Sequence, residues 1–254
     1  MSKQQIAEEA LTVRTTSSVL ATVEGYDPKD LRGKEGITAE DLRLPFLAIA
    51  QKTSKALDAS EGAYMEDLKF LDMYNSETKE IYGPGPLRFL PIRHRKRANL
   101  LTEDNKFGDQ VDWNDPRVIP PWAPGSPNKD IEDLEGVRVY DWAVLLLPSF
   151  QLVVVSFKSK SFPAGQSLAT FVQTRNGPAF AGQYVLRSIL DKNIHGNFGK
   201  FQVIPDGKPD PAAAEFAEQV YESIKDKAIV VTDDEPVVEE VATERASVRE
   251  PVPF

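Results

Sequence analysis

The feature that most constrains this chain is a pair of runs, Val137 to Leu147 (VRVYDWAVLLL) and Phe150 to Lys158 (FQLVVVSFK), separated by Pro148-Ser149. Both are rich in β-branched and aromatic residues, and the short break between them predicts a β-hairpin. Alternate side chains of a strand point to opposite faces. The second run carries Phe150, Leu152 and Val154 on one face and Val153, Val155 and Phe157 on the other. A strand that is apolar on both faces must be covered on both, so a sheet with one wet face is excluded here.

Other elements fall around this hairpin. Leu44 to Gln51 (LPFLAIAQ) reads as a strand or short helix joining the core, and Pro45 favours an edge position. Asn75-Ser76-Glu77-Thr78 is a turn before a short strand, Lys79 to Tyr82. Leu87 to Leu101 reads as a strand whose far end carries Arg93, His94, Arg95, Lys96 and Arg97. The stretch 102–136 is rich in Pro and Asp, has no helical or strand period, and predicts a long loop. Ala164 to Gln173 spaces Leu168, Phe171 and Val172 as a short helix, and Tyr184 to Leu190 with Asn197 to Ile204 form a second strand pair. A closing helix is capped by Asp210, with Pro211 in its first turn and Phe216, Val220, Tyr221 and Ile224 as its buried stripe.

After Lys227 the residues are small, acidic and interrupted by Pro, a composition that predicts disorder. The expected organisation is a flexible arm at 1–40, a body at 41–227 interrupted by the loop 102–136, and an acidic tail at 228–254. The expected fold class is mainly β. In chain order the body reads strand, strand, strand, helix, strand, strand, which matches an OB-fold-like five-stranded barrel with long insertions, one internal helix and a C-terminal helix.

Composition then narrows the chemistry. With no cysteine and only His94 and His195, thiol catalysis, thiolate metal sites, iron-sulfur clusters and most histidine-based catalysis are excluded. Neither histidine sits in a nucleophile-elbow context, and GPGP at 83–86 is a turn rather than a phosphate-cradling loop. Asp104, Asp109, Asp112 and Asp115 supply hard oxygen ligands, but their spacing lacks the central Gly and closing Glu of a calcium loop. The chain is therefore expected to be a non-enzyme without metal or cofactor. No apolar stretch approaches the length of a membrane span, and the first residues lack a signal peptide's layout. A cytoplasmic protein is expected.

The formal charge of −9 conceals segregation. Residues 103–135 hold nine acids against three bases, and 233–254 hold seven acids against Arg245 and Arg249. Residues 151–202 hold six bases against Asp191 alone. Such partition points to interaction surfaces.

The tail is the most specific motif: Asp233, Asp234, Glu235, Glu239 and Glu240 form an acidic run, and Pro253-Phe254 follow as the last residues. A ring beside an α-carboxylate fits an apolar pocket with a basic rim. In this the chain resembles phage single-stranded-DNA-binding proteins, whose acidic tails close on Phe. The resemblance implies that the acidic run and the Pro253-Phe254 tip recruit replication proteins such as polymerase, helicase or nuclease. Arg245 and Arg249 depart from a purely acidic tip.

Single-strand binding requires cations that follow phosphates and flat rings that stack on bases. The candidate nucleic-acid residues are Arg93, Arg95, Lys96, Arg97, Lys158, Lys160, Arg175, Arg187 and Lys200, with Phe162, Tyr184 and Phe198 as stacking rings. Core filling is the competing reading for each ring, and a solvated strand end is the competing reading for Arg93 to Arg97. The functional expectation is sequence-independent single-stranded-DNA binding in phage replication or recombination, with the tail competing for the groove and a homo-oligomer compatible with the sequence. The alternative from another class is a non-enzymatic virion structural or assembly protein; a strand-annealing mediator would share the groove.

Overall fold

A computed structural model describes residues 44–102, 107–120, 123–128, 135–193 and 196–226. The predicted arm and tail, including Asp233, Asp234, Glu235, Glu239, Glu240, Pro253 and Phe254, lie outside the described residues, as does His195. The described chain is mainly β, as expected from its strand-forming runs.

Its elements are β1 (Leu47–Ile49), β2 (Met73–Asn75), β3 (Ile81–Gly83), β4 (Leu87–Leu101), β5 (Phe107–Val111), β6 (Gly136–Leu147), β7 (Gln151–Phe157), α1 (Phe162–Thr174), β8 (Tyr184–Asn193), β9 (Gly196–Pro205) and α2 (Pro211–Ile224). Strands β1, β2 and β3 form a small sheet; the large sheet runs β7-β6-β4-β8-β9, with β5 added to β4. The predicted hairpin is β6–β7, paired from Tyr140 opposite Phe157 to Leu146 opposite Gln151. Strands β8 and β9 form the second predicted pair. One expectation is corrected: the stretch 102–136 is not all loop, because Phe107–Val111 pairs with the end of β4. A single five-residue strand with Gly108 and Asp109 inside it leaves little period to read there.

The two apolar faces of the hairpin are covered by different partners. On the inner face, Trp142, Val144, Val153, Val155 and Phe157 join Phe89, Tyr184, Leu186, Leu47, Ile49 and Leu168 of α1 in the main core. On the outer face, Leu145 packs with Leu90, Ile92 and Phe180 under Ala213 and Ala217 of α2. Each such side chain contributes roughly 1.5–3 kcal/mol by leaving water, so losing either cover would expose several of them at once. Asp210 caps α2 by accepting from the Ala212 N–H at 2.9 Å, with Pro211 in the first turn. Phe216 departs from the expected buried stripe: it is 41% exposed and meets Phe150 edge-on at 5.2 Å. The inward positions on α2 are taken by the small residues Ala213 and Ala217, which allow close approach to the sheet.

Among the described residues no pairing joins β7 to β9, so the large sheet is not closed by its own strands. The segment leading through β1 lies between them. Val154 of β7 donates its N–H to the Pro45 carbonyl at 2.8 Å. On the other side the Gln51 side chain exchanges two hydrogen bonds with the Gly199 backbone of β9, at 2.9 and 2.8 Å. A Cβ at Gly199 would stand 2.7 Å from Ile49 Cγ2, so this approach requires glycine.

Helix α1 sits as close to β6 and β7. A Cβ at Gly165 would lie 2.7 Å from Phe157 Cβ and 3.1 Å from Tyr140 Cβ, both in the main core. Gly165→Val is expected to lower stability by about 2 kcal/mol through overpacking. Urea unfolding checks this, with a lowered midpoint at unchanged slope as the expected outcome.

Candidate nucleic-acid interface

Strand β4 sets the geometry. It pairs along nearly its whole length with β6, but the register shifts between Pro91 and Arg93. Pro91 stands opposite Val144 and Arg93 opposite Ala143, so Ile92 is the extra residue of a β-bulge. The bulge inverts the alternation. Before it, Phe89 faces inward and Leu90 outward; after it, Arg93, Arg95 and Arg97 face outward, while His94 and Lys96 face inward opposite Trp142 and Tyr140.

The outward cations meet a carboxylate. Asp141 is fully buried, and its Oδ2 accepts from Arg97 Nε at 2.7 Å and Arg95 Nη2 at 2.9 Å. Ser156 donates to the other oxygen at 2.7 Å. Arg97, 8% exposed, also lies over the Phe107 ring at 4.1 Å, with Lys158 Nζ 5.1 Å from the same ring. This is a structural charge cluster that holds β4, β6 and β7 together.

On its other edge β4 pairs with β8 only over Leu87 to Phe89 and with β5 only from Ala98 onward. Between these contacts, beside α1, opens a cleft of about 640 Å³. It is lined by Ile92, Arg93, His94, Lys96, Tyr140 and Trp142 from the sheet, by Gln166, Thr170, Gln173 and neighbours on α1, and by Ala179 and Tyr221. Among the described residues no carboxylate lines it. In a chain with nine more acids than bases, that absence leaves the cleft locally cationic.

Within the cleft His94 stacks on Trp142 with centroids 4.8 Å apart and planes 26° from parallel. Lys96 Nζ lies 5.5 Å from the centroids of both Trp113 and Tyr140. Arg138 stands 5.0 Å over Trp113, and its Nε donates to the Trp113 carbonyl at 2.8 Å. Arg93 Nη1 donates to the Ile224 carbonyl at 2.7 Å, tying the end of α2 to the cleft's rim. Loss of hydration, and then the charge of Lys96, push the His94 pKa below its ordinary value, so the imidazole is neutral at pH 7.

The sequence-predicted residues do not converge on one trough. Lys96 lines the cleft from the inner face and Arg93 reaches only its rim from the outer face, to which Arg95, Arg97 and Lys158 also belong. Arg187 is exposed on the outer side of β8, opposite Gln202. Lys200 is ion-paired with Asp191 at 2.5 Å, with exposed Lys160 nearby and Phe198 opposite Asp191. Arg175 donates to the Ala181 and Gly207 carbonyls at 3.2 and 2.7 Å, holding the segments around β8. Two ring assignments are corrected: Phe162 is 3% exposed and Tyr184 fully buried, so both fill the core and offer no face to a base. Their polar and Gly neighbours in the sequence mark the ends of elements, not exposure. Of the aspartates weighed as metal ligands, Asp112 accepts from the Asn114 N–H and Asp115 is held by Arg117, which lowers its pKa to about 2. The sequence reading missed Trp142, Tyr140 and His94 as cleft residues. Strand alternation separates His94 and Lys96 from the three arginines and was available to find them.

A family model described as Pam3 phage gp34-like protein matches residues 13–106 and 144–230, well over half of the chain. The chain belongs to that family. No curated protein and no solved structure matches it.

A His94 pKa held down in the folded state makes the neutral ring part of the fold. The stability it contributes is complete above the ordinary histidine value near 6.5 and is lost as pH falls toward the lowered folded value. NMR titration of His94 is expected to give a midpoint below 6.5, rising in Lys96→Gln as the second cause is removed.

Proposed function

Starting from membership of a phage family, we propose that this protein binds single-stranded DNA without sequence preference during phage DNA replication or recombination, and that the strand enters the cleft beside β4. The observation that carries this reading is the cleft's make-up: the exposed Lys96, with Arg93 at the rim, the exposed ring of His94 backed by the buried Trp142, and no carboxylate among the described lining residues. Phosphates and bases ask for those two ingredients together. The order of strands around the large sheet, with α1 between its third and fourth long strands, supports an OB-like framework, in which binding to single strands is common. The interface is thus moved from the whole basic island to the inner side of β4, with exposed Arg187 and Lys160 and the ion-paired Lys200 as a separate group along which a strand leaving the cleft could continue. The acidic segment 233–254 competes for the cleft and recruits replication proteins such as polymerase, helicase or nuclease.

Fluorescence anisotropy with a labelled oligo-dT at low salt is the direct test. Binding at micromolar protein is expected, with affinity falling as salt rises. Lys96→Glu is expected to weaken binding and to flatten the dependence of log affinity on log salt by about 0.7, the share of one phosphate contact on a single strand. Absence of binding at micromolar protein would overturn the reading in favour of a virion assembly role. Deleting 233–254 is expected to tighten oligo-dT binding several-fold at matched salt and to abolish capture of replication proteins. Unchanged affinity would contradict competition by the tail.

A further inference from the structure

The cleft beside β4 is also a gap in the large sheet. Leu101 donates its N–H to the Glu135 carbonyl at 2.8 Å, on the β6 side of the strand. Successive residues of a strand present their backbone groups to opposite edges, so Arg93, Arg95, Arg97 and Asn99 turn theirs to β6, and His94, Lys96 and Ala98 turn theirs to the other edge. Ala98 meets Val111 of β5 there. His94 and Lys96, both exposed, meet no strand on that edge among the described residues. Their N–H and C=O groups form a short open edge, a template for one more strand.

Both walls of the gap are apolar in part. Ala169 and Val172 of α1 pack against the main core, and Tyr221 of α2 packs against the outer cluster. A strand between them is covered on both faces and calls for successive apolar residues. The chain has such a run close by. Ile229-Val230-Val231-Thr232 is β-branched throughout and follows α2, whose last residue, Ile224, is held by Arg93. The stretch from Ile224 to Ile229 can reach about 17 Å, and the run itself spans about 13 Å, the length of β4 from Arg93 to Arg97. Asp233, Asp234 and Glu235 come next. Lys96, at the far end of the open edge, stands where no described carboxylate lines the wall.

We propose that residues 229–232 pair with this edge as a strand parallel to β4, entering at Arg93, filling the gap between β8 and β5, and setting Asp233 and Asp234 against Lys96. Backbone groups make the contact and the acids fix its register. Lysine on an open edge discourages stray pairing. Here it admits a strand that is followed by carboxylates. The effect on DNA rests on the single-strand reading above, because a phosphate finds Lys96 already taken; the strand itself does not.

Amide hydrogen exchange of the full chain, read by NMR at His94 and Lys96, tests this. Three proteins are compared at low salt: wild type, Val230→Pro/Val231→Pro and Asp233→Asn/Asp234→Asn. The first variant removes a ladder donor on either edge of the run, and the second keeps the strand while removing its charge. Near-UV circular dichroism reports the folding of each. In wild type both amides are expected to exchange about tenfold more slowly than in the proline variant, with most of that protection kept in the asparagine variant. Both variants are expected to bind oligo-dT several-fold more tightly than wild type.

Equal exchange in wild type and the proline variant would overturn the added strand and leave single-strand binding standing. Protection lost as fully in the asparagine variant would reduce the contact to charge alone and overturn it too. Protection that weakens on dilution would assign the strand to a second copy, against the proposal. Slow exchange in wild type alone, with oligo-dT bound by none of the three proteins, would overturn the single-strand reading as well as the strand; slow exchange in wild type and the asparagine variant, again without oligo-dT binding, would support the strand and overturn the single-strand reading only.

Discussion

The bulge at Ile92 is the constraint on which the rest of the site depends. A strand has a side-chain period of two, so one extra residue exchanges its faces for everything that follows. Without it, Arg93, Arg95 and Arg97 would point into the core lined by Trp142 and Tyr140, where three guanidiniums would have no counterion. With it, Arg95 and Arg97 reach Asp141 on the outer face, and His94 and Lys96 turn toward the cleft. Pro91 suits this position, because a residue without an N–H costs a strand least where the ladder is already interrupted.

The two sides of β4 therefore carry charge for different purposes. On the outer side a fully buried carboxylate is shared by two arginines and a serine, with Arg95 Nε left as the one donor of the cluster without a hydrogen-bond partner among the described residues. Removing Asp141 from such a cluster leaves Arg97 buried without its counterion, a loss of about 3–5 kcal/mol. That cost makes the cluster an anchor for β4 against β6 and β7, and takes its cations out of play for a ligand. On the inner side the cation is exposed and the imidazole is exposed and neutral. Fixed architecture on one face thus leaves the polar groups of the other exposed.

Much of this fold is legible in the residues. The hairpin Val137 to Lys158 announces itself by β-branched residues on both faces, and Asp210-Pro211 marks the start of α2. The helix over Leu168 and the second strand pair follow from equally plain periods. The site is less legible. Five successive basic positions at Arg93 to Arg97 look like one patch until alternation and the bulge divide them between faces. No local pattern reveals that Asp141, within an apolar run, neutralises two of them from across the sheet. Phe162 and Tyr184 resemble exposed rings because they begin elements, yet packing by Trp113, Tyr140, Phe89 and Phe171 encloses them. Strand β5 is short and lies among Asp and Pro residues, so only its pairing with β4 defines it.

The central claim is that a single DNA strand occupies the cleft beside β4. Photo-crosslinking with an oligo-dT containing 5-iodouracil, followed by peptide mass spectrometry, tests it most directly. The account predicts adducts on the β4 peptide at His94 or Lys96, or on α1. Adducts confined to the outer face of β8 and β9, around Arg187, Phe198 and Lys200, with none in the cleft, would contradict it.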